Sequence, residues 1–393
     1  MAIKETQVTI FIKLRKSLIM TMGLCAMCLL LLPLPVSAKA EPGKPVWSPA
    51  GSLPEGFDWI QLTSGEWLKG DLKVLYNDSL EFDSDELGLQ ELDWEDVQQV
   101  ICHEPQSVRI EDPEAGASVL NVDGKARAVI GVLRIQGDKV YVETEDGSVE
   151  FDRSSLVSIA PGETGELDYW AMKVTLSVDI SEGNSENENY SANVTLKRRT
   201  SLTRFYFDYR GIYSETYDVK TSNSHRASSY FDIFSTRRFF WRPVFAEYFR
   251  DPFANIANRY LVGVGVGYTI IDTSRTEWLV SPGLAYMGTE FDSVEPGEDI
   301  TTDTPAFVFS TEFDTELTDK IDFNALYNFY LINEDSGTYT HNAKAGIEIE
   351  LTGRLDLDLS VVWDRIQDPE PDEDGIVPEK DDLYFFCGLT FEL

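Results

Sequence analysis

The sequence predicts an all-β chain: an antiparallel transmembrane β-barrel of about twelve strands, preceded by two small SH3- or Sm-like β modules. Three observations predict it. From residue 170 onward, apolar and polar residues alternate with period 2, in runs of about ten residues, the length a tilted strand needs to cross a hydrocarbon core. The connections alternate between short turns and longer acidic segments. The stretch Tyr260–Tyr268 puts Tyr260, Val262, Val264, Val266 and Tyr268 on one face and Gly263, Gly265 and Gly267 on the other. Eight residues of strand span ~26 Å, or ~20 Å across a membrane at a tilt of about 40°. That matches an apolar band with an aromatic residue at each interface.

Composition narrows the function. The net charge is −35, which disfavours nucleic acid as a partner, because its affinity comes largely from phosphate neutralisation. The acid lies outside the first segment. Residues 1–38 read as a signal peptide: Lys13, Arg15 and Lys16, an apolar core from Leu18 to Leu32, and Val36-Ser37-Ala38 as a cleavage site. An uncleaved anchor is the alternative, and the apolar run is short for it. Beyond the signal only Cys102 and Cys387 remain, in different domains, so no disulfide framework is expected.

Residues 39–56, rich in Pro and Gly, read as a linker. The first module, 57–103, contains Leu68-Lys-Gly70-Asp-Leu72, Leu80-Glu-Phe82 and Leu92-Asp-Trp94 leading to Ile101. The second, 117–161, contains Ile130-Gly131-Val-Leu133, Val140-Tyr-Val142, Val149-Glu-Phe151 and Leu156 to Ile159. Each has a Gly-containing bend, a turn and a closing apolar segment, a weak internal duplication. An exported acidic module of this kind favours packing or protein contact over RNA.

The barrel, 170–393, follows strand by strand. Met172, Val174, Leu176 and Val178 oppose Lys173, Thr175 and Ser177. Tyr190, Ala192, Val194 and Leu196 oppose Asn193, Thr195, Lys197 and Arg199. Phe205, Phe207 and Tyr209 oppose Arg204, Tyr206, Asp208 and Arg210. Residues 224–235 and 239–250 are rich in β-formers but ambiguous in facing. After the glycine strand, Trp278, Val280, Leu284 and Tyr286 share a face. Tyr260, Tyr268, Trp278 and Tyr286 thus form an expected aromatic girdle. Phe307, Phe309 and Phe313 oppose Glu312 and Asp314; Ile321, Phe323 and Tyr327 oppose Asp322 and Asn324. Ala343, Ala345, Ile347 and Ile349 oppose Lys344, Glu348 and Glu350; Leu355, Leu357 and Leu359 oppose Asp356 and Asp358. The last strand carries Leu383, Phe385, Cys387, Leu389, Phe391 and Leu393 on one face. A soluble sandwich or lipocalin-like barrel competes, but needs neither aromatic pairs at fixed separation nor so charged an opposing face.

Short turns fall near residues 200, 236, 273, 318 and 352, and longer segments at 181–188, 214–223, 289–303, 333–338 and 366–381. Outer-membrane barrels have short periplasmic turns, so the N-terminal modules are expected in the periplasm of a Gram-negative envelope. Gly388, Phe391 and Leu393 resemble the C-terminal signal read by the barrel-assembly machinery; Phe386 stands where a polar residue is usual. Ser181-Glu-Gly183-Asn184-Ser185, the glycine strand through Asp272, and Ser281-Pro282-Gly283 resemble the YdiY-type salt-induced outer-membrane proteins, domain of unknown function 481, over roughly 170–393. That resemblance implies an outer-membrane barrel and a link to salt or envelope stress, without a substrate.

Catalytic chemistry is not apparent. None of the three histidines sits in the His-x-Ser of barrel lipases, and no metal or cofactor is expected. Glu370 to Asp381 faintly imitates a Ca²⁺ loop, but reads as a solvated acidic loop. The expected lumen is polarised: Lys173, Lys197, Arg199, Arg204 and Arg210 face Glu312, Asp314, Asp322, Glu348, Glu350, Asp356 and Asp358, with Gly263, Gly265 and Gly267 between. A transverse field in an open pore and a plug of crossing ion pairs both fit. The function expected is therefore a passive pore or permeability factor in osmotic or envelope homeostasis. The alternatives are a closed scaffold whose periplasmic modules contact another envelope protein and, least, a hydrolase. Expected partners are outer-membrane lipid and, during biogenesis, the assembly machinery.

Overall fold

The computed structural model describes residues 56–76, 78–84, 86–111, 128–162, 165–181, 187–318 and 320–392. The expected signal peptide, the linker up to residue 55, residues 117–127 of the second module, residues 182–186 and Leu393 lie outside them.

Nine strands build the N-terminal domain: β1 (Asp58–Leu62), β2 (Trp67–Tyr76), β3 (Ser79–Ser84), β4 (Gly88–Asp93), β5 (Val97–Ile110), β6 (Ala128–Gln136), β7 (Lys139–Thr144), β8 (Gly147–Asp152) and β9 (Leu156–Pro161). They pair in the order β4-β3-β2-β1-β5-β6-β7-β8, with β9 against β2 and β5. Alternation in Leu80-Glu81-Phe82 and Val140-Tyr141-Val142 sends every second side chain into one fully buried cluster with Ile60, Val100, Leu133 and Ile159. Each side chain of that size contributes about 1.5–3 kcal/mol on burial. The two modules are therefore two halves of one sheet and one core. The boundary expected at residue 103 falls inside β5.

The duplication is visible in the pairing. β1 lies between β2 and the first half of β5, and the second half of β5 lies between β6 and β9. A single 3₁₀ turn precedes the last strand of each half, at Trp94–Asp96 and Arg153–Ser155. Gly70 and Gly131 hold equivalent places on β2 and β6. A Cβ there would lie 2.0 Å from the Asp83 carbonyl oxygen and 2.3 Å from that of Glu143. Only glycine lets the neighbouring strand come so close.

The remaining strands are β10 (Trp170–Ser181), β11 (Asn187–Arg199), β12 (Thr203–Thr216), β13 (Val219–Phe234), β14 (Phe239–Asp251), β15 (Ile256–Asp272), β16 (Thr276–Phe291), β17 (Thr301–Thr318), β18 (Ile321–Leu331), β19 (Tyr339–Thr352), β20 (Leu355–Ile366) and β21 (Asp381–Glu392). Each pairs antiparallel with the next, and β10 closes on β21 from Lys173↔Glu392 to Leu176↔Leu389. This is a closed barrel of twelve strands. Closure leaves no unpaired edge, and the outer face is apolar: Leu176, Val262, Val264, Leu284, Phe307, Phe385 and Leu389 are all exposed. Among β structures only such a barrel satisfies its backbone inside lipid.

β14 explains the two runs whose facing was ambiguous. Phe240 and Arg242 point inward, and so do Phe245, Glu247 and Phe249, so the parity changes between residues 242 and 245. The ladder shifts register there, and opposite it between Phe231 and Ile233. Pro243 has no N–H for the ladder, which makes this the place where a bulge costs least.

The 214–223 segment, expected as a long loop, is a tight hairpin. Tyr217 and Asp218 have φ of 50° and 63°, the left-handed pair of a type I′ turn. The long connection 367–380, at the same end of the barrel, is strapped down. Asn255 Nδ2 donates to the carbonyls of Ser293, Glu370 and Pro371, and Asn255 Oδ1 accepts from Ser293 N–H. Three loops thus meet at one amide.

Candidate functional site

The lumen divides into two halves. Towards the loops it is filled. Arg226 pairs with Glu247 at 2.7 Å and with Asp364 at 2.8 Å, and Arg210 reaches Asp364 at 3.4 Å. Tyr330 donates to Glu247 and Asn342 to Asp364, both at 2.7 Å. Arg226 lies 4.1 Å over the Phe249 ring, and Phe249, Ala254 and Ile256 pack above with Ile366. The space left beside these groups is about 20 Å³, room for about one water molecule.

Towards the turns lies a chamber of about 1170 Å³. Its walls carry Lys173, Lys197, Arg199, Arg204, Glu312, Asp314, Asp322, Glu348 and Gly265 among the expected lumen residues. Lys173 meets Glu348 at 2.9 Å. Tyr206 and Tyr230 stack with centroids 5.0 Å apart, and Tyr230 donates to Glu312 at 3.2 Å. Arg204 and Arg242 share Asp232, which is fully buried, at 2.8 and 2.7 Å; Arg204 also reaches Glu277 at 3.6 Å.

The other expected lumen residues stand apart. Arg210 belongs to the filled half. Asp356 and Asp358 are buried, Asp358 accepting from Ser360 at 2.8 Å, while Glu350 is exposed near the β19–β20 turn. Gly263 and Gly267 do not hold a channel open. Positions for their Cβ atoms lie 2.4 Å from Phe245 Cζ and 2.0 Å from Phe240 Cζ. Both glycines make room for aromatic rings from β14.

The N-terminal domain caps the chamber. Tyr76, Glu81, Asp83, Leu89 and Gln106 line it from that side. The β13–β14 turn is the main tie. Arg237 pairs with Asp78 and, at 2.8 Å, with Asp272, while its N–H donates to Glu111 at 2.8 Å. Ser201 meets Ser107 at 2.9 Å and accepts from Ser158 Oγ at 3.3 Å. Tyr76 lies under Arg199, and burial pushes its phenol pKa well up, so it stays neutral.

On the outer face Tyr260, Tyr268 and Tyr286 are exposed, and Trp278 faces the same way with its Nε1 donating to Thr311 at 2.9 Å. Gly388 points inward, where a Cβ would sit 2.4 Å from Ser177 Oγ, and Phe391 points outward. His341 lies among Phe329, Tyr339 and Trp363, and His225 meets Tyr209 at 2.9 Å, both on the lipid side. In the Glu370–Asp381 loop, Asp372 accepts from the N–H groups of Asp374 and Ile376, and Asp381 is held by Arg365 at 2.8 Å. Cys102 is buried and Cys387 exposed, both free.

Sequence reasoning missed Arg226, Tyr230, Asp232, Arg242, Glu247 and Asp364, the groups that organise the lumen. The signal on β13 was present, since Arg226, Tyr230, Asp232 and Phe234 share a parity. The parity change at Pro243 hid their partners on β14.

The profile of a family described as "Protein of unknown function, DUF481" matches residues 174–393. The chain belongs to the DUF481 family. The match begins inside β10 and runs through β21, so the DUF481 unit is the barrel, and the cap is N-terminal to it. Among solved structures, the NanC porin is 9% identical, with 57% of this chain and 100% of that chain covered and a TM-score of 0.35. The translocator domain of the autotransporter NalP from Neisseria meningitidis is 11% identical, covering 56% and 87%, at 0.32. Neither likeness reaches beyond barrel architecture. No curated protein sequence matches the chain.

Proposed function

We propose that this DUF481 protein is a closed, non-enzymatic outer-membrane scaffold that holds its N-terminal domain in the periplasm, exported by residues 1–38 and inserted by the assembly machinery through its last strand. The scaffold serves envelope homeostasis by presenting the domain to another envelope component. The observation that supports closure most directly is the Arg226–Glu247–Asp364 crossing, which with Tyr330 and Asn342 fills the loop half of the lumen. Short turns on the side of the cap support the periplasmic placement.

Planar-bilayer recording tests this. Wild-type protein, its insertion verified by heat-dependent gel mobility, is expected to be silent. The double variant Arg226→Ala/Asp364→Ala removes both ends of the crossing and is expected to conduct. Steady stepped conductance of the wild type would instead support a passive pore, the second reading. That reading is favoured by the chamber of about 1170 Å³ in the turn half of the lumen.

A further inference from the structure

The two halves of the cap end on matching edge strands. β4 reads Gly88-Leu89-Gln90-Glu91-Leu92-Asp93 and β8 reads Gly147-Ser148-Val149-Glu150-Phe151-Asp152, each followed at once by its 3₁₀ turn. They stand at the two ends of the strand order, so among the described residues each has one strand neighbour, β3 and β7. The backbone N–H and C=O groups along the other side of such a strand are free to pair with another chain. The two edges differ in what guards them. β4 lies against the barrel: Leu89 lines the chamber with Lys173 and Asp322, and Asp93 lines a cleft with Thr273 and Ser274. Gln90 also turns its amide onto the strand, donating to the carbonyls of Leu87 and Leu89 at 3.1 and 3.0 Å. On β8 the same place is held by Val149, which has no side-chain donor and is 38% exposed. Among the described residues, β8 contributes nothing to the chamber wall, and all of its residues but Phe151 are exposed.

The side chains of β8 define what fits beside it. Val149 and Phe151 pair with Val142 and Val140, which are fully buried, and Phe151 packs against the cap core. The core thus reaches this edge and leaves part of its last apolar side chain uncovered. Ser148, Glu150 and Asp152 point to the opposite face. Lys139 meets Glu150 at 3.2 Å and Asp152 at 2.9 Å. Glu143 on β7 and Glu145 and Asp146 in the turn add further carboxylates, so the face is acidic around its one lysine. A second copy of this edge would bring like charges together across the strand pair, which is unfavourable, whereas a basic strand brings opposite ones.

We propose that β8 is the docking edge of the cap, and that its occupant is an extended basic segment of another envelope protein, added as one more strand. Alternate apolar residues of that segment lie beside Val149 and Phe151 and extend the core. The lysine or arginine residues between them lie beside Glu150 and Asp152. This inference rests on the scaffold reading and deepens it by naming the surface and the chemistry of the partner.

The test is fluorescence anisotropy of a labelled synthetic peptide, alternating lysine and valine, titrated with full-length protein in dodecyl maltoside. Saturable binding is expected. It should be at least tenfold weaker for the same peptide with alternate backbone nitrogens methylated, which keeps charge and apolarity but removes ladder donors. Val149→Gln, which copies the β4 residue onto a half-exposed position, should weaken binding by a similar factor, as should Glu150→Lys/Asp152→Lys. Gln90→Glu should leave binding unchanged. Amide exchange with peptide bound should slow over residues 147–152 and stay as it was over residues 88–93, which locates the site and shows that the cap is folded. Absence of saturable binding overturns the proposal, as do equal binding of the methylated peptide, unchanged binding in both β8 variants, and protection of β4 in place of β8. Dimers in detergent that Val149→Gln disperses would give the edge to a second copy and overturn it as well. A protein that is silent in the bilayer but ignores the peptide loses this inference and keeps the scaffold reading. A protein that conducts loses the scaffold reading whatever the peptide does.

Discussion

Asp232 is the side chain on which the turn half of the lumen depends most. It is fully buried and is shared by Arg204 and Arg242, which also donates to Ser281 at 2.9 Å. Two cations on one carboxylate leave a charge that Glu277 offsets only at 3.6 Å. Taking one partner from a buried network is costly because it strands the others. Asp232→Ala is therefore expected to destabilise the barrel by about 3–5 kcal/mol, read as an earlier loss of the heat-shifted gel form in a urea series. In the cap the sign is opposite. Burial raises the pKa of Asp58 above 3.8, although its oxygens accept the N–H groups of Leu72 and His103; burial, then Glu91, raises Glu81 above 4.5. A raised carboxyl pKa means that the folded state holds the proton more tightly. Cap stability should thus rise as pH falls through those raised values towards 3.8 and 4.5, and be lost again on returning to neutral. Amide exchange at Leu72 and His103, corrected for intrinsic rates, should slow on mild acidification, and Asp58→Asn should flatten the response.

At the scale of the element, β14 and β15 show why a period-2 pattern is legible in one strand and not in its neighbour. On β15 a single parity runs from Tyr260 to Ile270, so Gly263, Gly265 and Gly267 could be placed inward without a structure. What fills the space over them could not, because Phe240 and Phe245 lie on either side of the Pro243 bulge and have opposite parities. Strand identity and facing follow from local alternation, whereas lumen occupancy follows from which long side chains meet across it. The hairpin at Tyr217–Asp218 was unreadable for a related reason, since two non-glycine residues adopt positive φ there. The glycine stripe makes a sharp test. Gly267→Val adds atoms where the fully buried Phe240 ring already lies 2.0 Å from the new Cβ, with Phe234 and Leu279 behind it. The ring has no room to retreat, so overpacking by about 1–3 kcal/mol or more is expected. Val264→Leu, one step from Gly263 and Gly265 but exposed on the outer face, should be near neutral in the same heat-shift assay.

At the scale of the whole molecule, the question is what holds a soluble-type β domain against the floor of a membrane barrel. Among the described residues, two ion pairs span the junction. Arg198 meets Glu166 at 3.1 Å, but Glu166 is 61% exposed, and solvent screens such a pair. Arg237 differs because it binds Asp272, whose side chain is 3% exposed, together with Asp78 of the cap, and its own N–H is held by Glu111. Removing its guanidinium frees the cap residue and strands a buried carboxylate in one step. Arg237→Ala is accordingly expected to weaken the junction by about 3 kcal/mol, and Arg198→Ala to change it little, because solvent screens its partner. Limited proteolysis distinguishes them: in Arg237→Ala the cap should be cleaved faster while the barrel keeps its heat-shifted mobility, and in Arg198→Ala the rate should stay near wild type. The same separation bears on the scaffold. A cap that detaches while the barrel stays folded is a domain held by a few side chains at one turn, which a periplasmic partner could engage by competing for Asp78. If both arginine variants leave cap cleavage unchanged, the seam is held by its serine and arginine–ring contacts, and the barrel and cap must act as one rigid unit.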